Sequence, residues 1–419
     1  MKRPMTICEK VFARTSGKTE AAPGEVLWVE PDLVLMYDYP GLTDEFERIL
    51  RDELKTNIRK PEKCRLFIDH FVPPASEKES DFHHHTRWWA AQQKVQLIEN
   101  LGIGHQVTAE LCLARPGMFI AHSDMHIHPI GAFGTVAFSL LTDIITAYAL
   151  GKIWLEIPET IKVNLTGSFR DGVSGRDFIN HFLGFLGPDG AINAYLEFHG
   201  DGAESMSIDD RMTILSEILF CGAHGGIFPA NEPVIKYIKE RTGETVSPVV
   251  PDSGAVYRDT LSFDLSKIEP TVIAPGGLTD AQTIGKVRGL TLNQAYIGSC
   301  AAGRVSDIET AARILKGRRI KDGFRLNVVP SSREVLQKTI ESQALGVLVE
   351  AGAFISSPSC DYCYGKTQAI SRGERAVSTG TLNVPGRMGS SAAEIYLASS
   401  AVAAASSING ELADPRNYL

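Results

Sequence analysis

The chain has 419 residues, 43% of them apolar and 22% charged, with 38 glycines scattered rather than clustered. That is globular composition, too long for one ordinary domain of about 100–200 residues, and it excludes a disordered or low-complexity protein. A formal charge of −8 excludes the broad basic surface that phosphate-backbone binding requires, so no nucleic-acid partner is expected.

In chain order, the first 16 residues carry Lys2, Arg3, Glu9, Lys10 and Arg14 and lack the apolar core of a signal peptide. No apolar run reaches the roughly 18–20 residues that span a bilayer, so no membrane partner is expected and the location expected is cytoplasmic. Residues 161–165 and 194–198 read as strands, and 176–185 and 209–221 as helices, which makes an α/β unit. Prolines and glycines between 243 and 293 mark a boundary. Beyond it, strands at 295–298 and 325–329 alternate with helices at 306–316 and 331–344. Ser306 with Glu309, and Ser331 with Glu334, have capping-box spacing, and Gly317 and Gly346 stand where the two helices should end.

The seven cysteines (8, 64, 112, 221, 300, 360 and 363) are sparse and odd in number, which argues for reduced thiols or metal ligands rather than a disulfide framework. Cys360 and Cys363 form a CxxC after the apolar stretch 347–355. Alone, that pair fits a zinc knuckle, a redox dithiol, a cluster site or chance. Cys300 also follows an expected strand and precedes an expected helix. Three thiolates without an obvious fourth suit a four-iron cluster with one iron open to act as a Lewis acid. The histidines at 83–85, 122 and 128 do not define a coordination geometry and read as solvated or structural.

Several stretches together resemble the aconitase family, most closely its isopropylmalate isomerase large subunits. They are Gly298, Ser299 and Cys300 followed by Arg304, the CxxC after Glu350, and the segments around Gly373, Ser378, Asn383 and Gly386 to Ser390. The resemblance covers nearly the whole chain. It implies an α/β fold of three α/β/α layered domains, at 1–158, 159–282 and 283–419, around a central cluster cleft. It also implies a [4Fe-4S] cluster with one open iron on Cys300, Cys360 and Cys363, and reversible dehydration of a small hydroxy acid or hydration of an unsaturated acid. By the same resemblance Asp69 and His70 form the acid pair that protonates the leaving hydroxyl, a role general acid catalysis suits. His105, Asp124 and His126 position the iron-bound oxygen, and Arg387 either grips a substrate carboxylate through its planar guanidinium or makes a structural ion pair. The family's swivelling domain, which carries the serine base, is not expected within these residues, and is expected either on a separate small subunit or to be dispensable.

The pattern departs from the family at the substrate end. Met125 replaces a serine, Ser216 an asparagine, Phe220 a glutamate and Leu382 an arginine. A buried carboxylate without matched donors costs several kcal/mol, so these positions, read as substrate contacts, imply a less polar pocket and a substrate with fewer carboxylates or a bulkier apolar part. Two other readings follow from the same residues: a cluster-binding homologue without hydro-lyase activity that acts in binding or regulation, and structural zinc on the three cysteines with a histidine.

Overall fold

The computed structural model describes residues 3–38 and 42–419. Met1 and Lys2, which entered the reading of the N-terminus, lie outside them. The fold is mixed α/β, built of three units, each a largely parallel sheet with the helices that connect its strands. The first has five strands in the spatial order Gln96–Glu99, Cys64–Ile68, Leu33–Tyr37, Phe119–His122 and Val136–Ser139, all parallel. Leu33–Tyr37 is buried at every position, the near-continuous apolar run of a parallel strand covered on both faces.

Strand order reverses between Leu33–Tyr37 and Phe119–His122. In open parallel sheets the crevice beyond the strands' carboxyl ends at such a reversal is where ligands bind.

The second sheet orders Gly225–Ile227, Ala194–His199, Glu159–Thr166 and Asp259–Asp264, again all parallel. One apolar core runs through both sheets, taking in Leu35 and Ile120 with Val163, Phe198 and Leu215. Their approach depends on Gly131, where a Cβ would lie 2.1 Å from the carbonyl oxygen of Gly226.

The third sheet has seven strands, in the order Ala281–Thr283, Thr271–Ile273, Glu394–Leu397, Arg375–Ser378, Gln294–Ile297, Arg325–Val328 and Phe354–Ile355. Both pairings of Thr271–Ile273 are antiparallel and the others parallel. Helix Ser400–Asn409, mostly alanine and serine, is buried from Ser400 to Ser407. Its small side chains let it lie between helix Val305–Leu315 and the strand Gln294–Ile297.

Several local expectations need correction. Helix Val305–Leu315 is capped at Arg304, whose N–H donates to Asp307, while Ser306 pairs with Asp209 across a unit boundary. The next helix, Arg333–Glu341, takes Ser332 rather than Ser331 as its cap, and Glu334 pairs with Arg241 and Lys338. It stops before Gly346, which lies inside a separate helix, Ala344–Ala351. The expected helix 209–221 is a helix, Ile208–Ser216, and a 3₁₀ turn, Ile218–Cys221, broken at Glu217.

Candidate active site

The first sheet delivers its polar residues at strand ends. Asp38 follows Leu33–Tyr37, and Asp69 and His70 follow Cys64–Ile68. Asp69 Oδ1 lies 2.8 Å from His70 Nδ1, and Asp69 Oδ2 accepts the Gly104 N–H at 2.7 Å. Only a glycine fits at 104, since a Cβ there would meet the Tyr37 ring at 1.9 Å.

Asp38 is fully buried. Its Oδ1 accepts the N–H groups of Asp69 (3.2 Å) and His70 (3.3 Å) and faces His70 Nδ1 at 3.3 Å. His83 adds a contact to Asp38 Oδ2 at 3.4 Å and donates to the His70 carbonyl at 2.9 Å. Burial would lower the His70 pKa, but Asp69, Cys360 and Asp38 raise it well above the ordinary histidine value. Burial raises Asp69, with His70 opposing. The arrangement favours a protonated imidazole next to carboxylates, which is what a general acid requires.

Across the strand-order reversal, Asp124 stands between two histidines, its Oδ1 3.4 Å from His105 Nε2 and 3.4 Å from His126 Nδ1. It also accepts the His126 N–H at 2.7 Å. Burial would raise its carboxyl, but His105 and His126 hold it well below the usual range. Tyr37 Oη and His105 Nδ1 are 2.8 Å apart, which fixes the ring so that Nε2 points toward Asp124. His122 and His128, expected to be solvated or structural, are buried in the core, with pKa values that burial lowers. His83 is buried against Asp38 and the His70 carbonyl, His85 pairs with Glu47 at 2.8 Å, and His84 is exposed.

The third sheet brings up the thiols. Cys300 follows Gln294–Ile297 through Ser299, whose φ of 77° turns the chain sharply. Arg304, almost wholly buried, pins this loop. It donates to the carbonyls of Cys300 (2.6 Å) and Ala301 (3.2 Å), and to Gln106 (3.1 Å) and Thr213 (2.9 Å) in the other two units. Arg176 likewise reaches from the second unit to the carbonyls of Thr379 (3.0 Å) and Gly380 (2.9 Å). Buried guanidinium groups with their donors matched lock the units in register around the cavity.

Cys360 and Cys363 follow the short strand Phe354–Ile355. Arg387 Nη2 lies 3.6 Å from Cys363 Sγ, and Thr381 Oγ1 lies 3.7 Å from it. Burial pushes the Cys363 thiol up, yet Arg387 and its neighbours leave it lowered overall. Burial leaves Cys360 raised to about 11, with His70 pulling the other way.

These residues line one cavity of about 720 Å³: Asp69, His70, His105, Asp124, Met125 and His126 from the first unit, and the three cysteines and Arg387 from the third. Every cysteine is a free thiol, and the remaining four are buried elsewhere in the core. His126 Nε2 and Arg387 Nε are buried without a protein partner. Three soft donors lining one cavity, with no fourth cysteine, suit a cluster held by three thiolates, and two other residues of the lining, His126 and Arg387, each carry a polar atom that no protein group satisfies.

Three expected substrate contacts do not line this cavity. Ser216 is fully buried and donates to the Thr213 carbonyl at 2.7 Å, because it sits on the inward face of its helix. Phe220 packs behind His126, ring centroids 6.3 Å apart. Leu382 is half-buried beside Thr381, which takes the cavity position instead.

Residues missed by sequence reasoning include Asp38, Tyr37, Tyr364 and Glu217. Glu217 is a buried carboxylate at the helix break, 3.6 Å from Arg176. Burial raises its pKa, while Arg176, His126, Ser216 and Arg387 oppose. The signal available for Asp38 was an acid directly after a buried strand, the same placement as Asp69.

The aconitase family (aconitate hydratase) model matches residues 9–289 and 278–410. The chain is 37% identical over 418 residues to 3-isopropylmalate dehydratase large subunit 1 of Methanopyrus kandleri, covering 99% of each. It is 38% identical over 421 residues to 3-isopropylmalate dehydratase large subunit 2 of Archaeoglobus fulgidus, again 99% of each. It is also 34% identical over 420 residues, 98% of each, to the probable methanogen homoaconitase large subunit of Methanothermobacter thermautotrophicus. With Asp69 and His70, the histidines bridged by Asp124 and three thiols lining one cavity, and with this likeness along nearly all its length, the chain belongs to the aconitase family and is a hydro-lyase large subunit.

Proposed function

We propose that this chain is the cluster-bearing large subunit of an iron–sulfur hydro-lyase that dehydrates a small hydroxy acid and hydrates the matching unsaturated acid. The observation that carries the reading is the convergence of Cys300, Cys360 and Cys363 with the Asp69–His70 pair and Arg387 in one cavity. A [4Fe-4S] cluster bound by those thiolates supplies, through an open iron, Lewis acidity toward a hydroxyl and a carboxylate.

The residues of the chain do the rest. His70, kept protonated by Asp69 and Asp38, delivers a proton to the departing hydroxyl, which is otherwise a poor leaving group. Asp124 orients His126 through its Nδ1 and leaves Nε2 for the oxygen that leaves or enters, while Tyr37 and Asp124 hold the two ring nitrogens of His105 beside it. Glu217 balances the charge of His126 and Arg387 from behind, in the place where Phe220 offers no carboxylate.

Arg387 anchors one substrate carboxylate, and among the described residues it is the only Lys or Arg lining the cavity. Met125 and Leu141, 37% and 51% exposed, present apolar surface to the same space. A substrate with one dominant carboxylate anchor and an apolar substituent fits that lining. The proton-removing serine and the swivelling domain come from a small subunit, consistent with relatives named as large subunits. A reducing, cytoplasmic setting suits the seven free thiols.

The test is to co-express the chain with candidate small subunits, purify it anaerobically, and assay hydration of unsaturated mono- and dicarboxylates. Turnover is expected, with preference for acids carrying an apolar substituent. A reconstituted, cluster-loaded complex inert toward the whole panel contradicts the reading. Arg387→Met is expected to raise KM by about 10²-fold, since a charge-assisted bidentate contact contributes about 2–3 kcal/mol. An unchanged KM removes Arg387 from the carboxylate site.

A further inference from the structure

Asp361 lies between the two cysteines of the CxxC, is almost wholly buried, and does not line the cavity. Its carboxylate is fully engaged by four donors. Oδ1 accepts the Phe71 N–H at 2.8 Å and the Tyr364 hydroxyl at 2.6 Å. Oδ2 accepts the Val72 N–H at 2.9 Å and the Ser359 hydroxyl at 2.6 Å. Two of these donors are the backbone amides immediately after His70, so the side chain of the cysteine loop holds the segment that carries the acid pair.

Neighbouring contacts strengthen the tie. The Cys360 N–H donates to the Asp69 carbonyl at 3.1 Å. Phe71 is held at φ 55°, a left-handed conformation that aromatic residues rarely adopt and that surrounding structure must impose. Lys366, at the far end of the loop, pairs with Glu79 at 2.5 Å and lies 5.1 Å over the Phe71 ring. Glu79 in turn accepts the Ala75 N–H at 2.7 Å.

We propose that Asp361 is a positioning residue that straps the Asp69–His70 pair to the cysteine loop, so that the acid pair is set for proton transfer only when that loop is held by its bound cluster. The proposal rests on the cluster reading given above. Displacing residues 359–366 withdraws both acceptors from Phe71 and Val72 and lets His70 leave its place between Asp38 and Asp69. Loss of the cluster therefore disarms the acid as well as the metal.

The test is residue-resolved amide hydrogen exchange on the anaerobically purified chain, loaded and iron-free, with iron and sulfide measured on each sample. In Asp361→Asn with unchanged iron and sulfide, the Phe71 and Val72 amides are expected to exchange about tenfold faster than in wild type. In the iron-free wild-type chain they are expected to accelerate similarly. Ser359→Ala, which leaves both amide bonds intact, is expected to keep them slow.

In the complex that turns over, loaded Asp361→Asn is expected to lose about 10–100-fold in kcat with KM nearly unchanged. Wild-type exchange rates in loaded Asp361→Asn, iron-free wild type that protects both amides as well as the loaded chain, or a kcat loss that only follows lost iron, would each overturn the proposal. Absence of iron and sulfide from the wild-type chain would instead sink the cluster reading, and the exchange comparison separates the two failures.

Discussion

Cys363→Ser is expected to abolish turnover and strip most of the iron and sulfide from the chain, while Cys112→Ser leaves both unchanged. The difference lies in surroundings. Cys363 lines the cavity with Arg387 at 3.6 Å lowering its pKa, the electropositive setting that favours a thiolate ligand. Cys112 is a buried thiol whose pKa burial raises, packed in the core shared by the first two sheets. A serine hydroxyl is a poor substitute for thiolate on soft iron–sulfur chemistry. Removing the Lewis acid forfeits several kcal/mol of charge stabilisation, about 10³-fold or more in rate. Metal analysis and visible absorbance check the first part, and turnover the second. Full iron retention by Cys363→Ser would remove that residue from the ligand set.

The second large effect is expected at His70. His70→Gln should lower kcat by about 10²–10⁴-fold, the usual weight of a positioned general acid, with cluster content retained and KM changed little. Glutamine keeps a donor for the carboxylates of Asp38 and Asp69, so the buried acids are not left wholly unmatched, and a thermal unfolding scan checks that the fold survives. A loss smaller than about tenfold would move the proton-donating role elsewhere in the cavity.

The cysteines were signalled by their places after apolar stretches, whereas Asp69, His70, His105, Asp124, His126 and Arg387 were named through the family resemblance. In the structure Asp69, His70 and Cys300 stand just beyond the carboxyl ends of buried parallel strands. Asp69 and His70 come directly after an apolar run, and Cys300 sits in a small-residue turn between strand and helix. What brought them together was not legible. Arg304 reads locally as one more charge near a helix start, yet it joins all three units through Cys300, Gln106 and Thr213.

The capping boxes were misplaced for a related reason: Ser306 and Glu334 are used in long-range pairs with Asp209 and Arg241, so the caps fall to neighbouring residues. The apolar stretch 347–355 is ambiguous between strand and helix by pattern, and in the structure its first half completes the helix Ala344–Ala351 while only Phe354–Ile355 is strand. Glu217 stayed hidden because residues 209–221 read as one continuous helix, whereas the break at that position turns its carboxylate toward Arg176. The less polar pocket inferred from four substitutions reduces, in the structure, to Met125 as a direct lining residue and Phe220 as backing for His126.

The central claim is that Cys300, Cys360 and Cys363 hold an iron–sulfur cluster at the mouth of the acid pair. Quantifying iron, acid-labile sulfide and zinc in the anaerobically purified wild-type chain tests it most directly. The account predicts about four iron and about four sulfide per chain, with zinc at trace level. About one zinc per chain with no sulfide would contradict it.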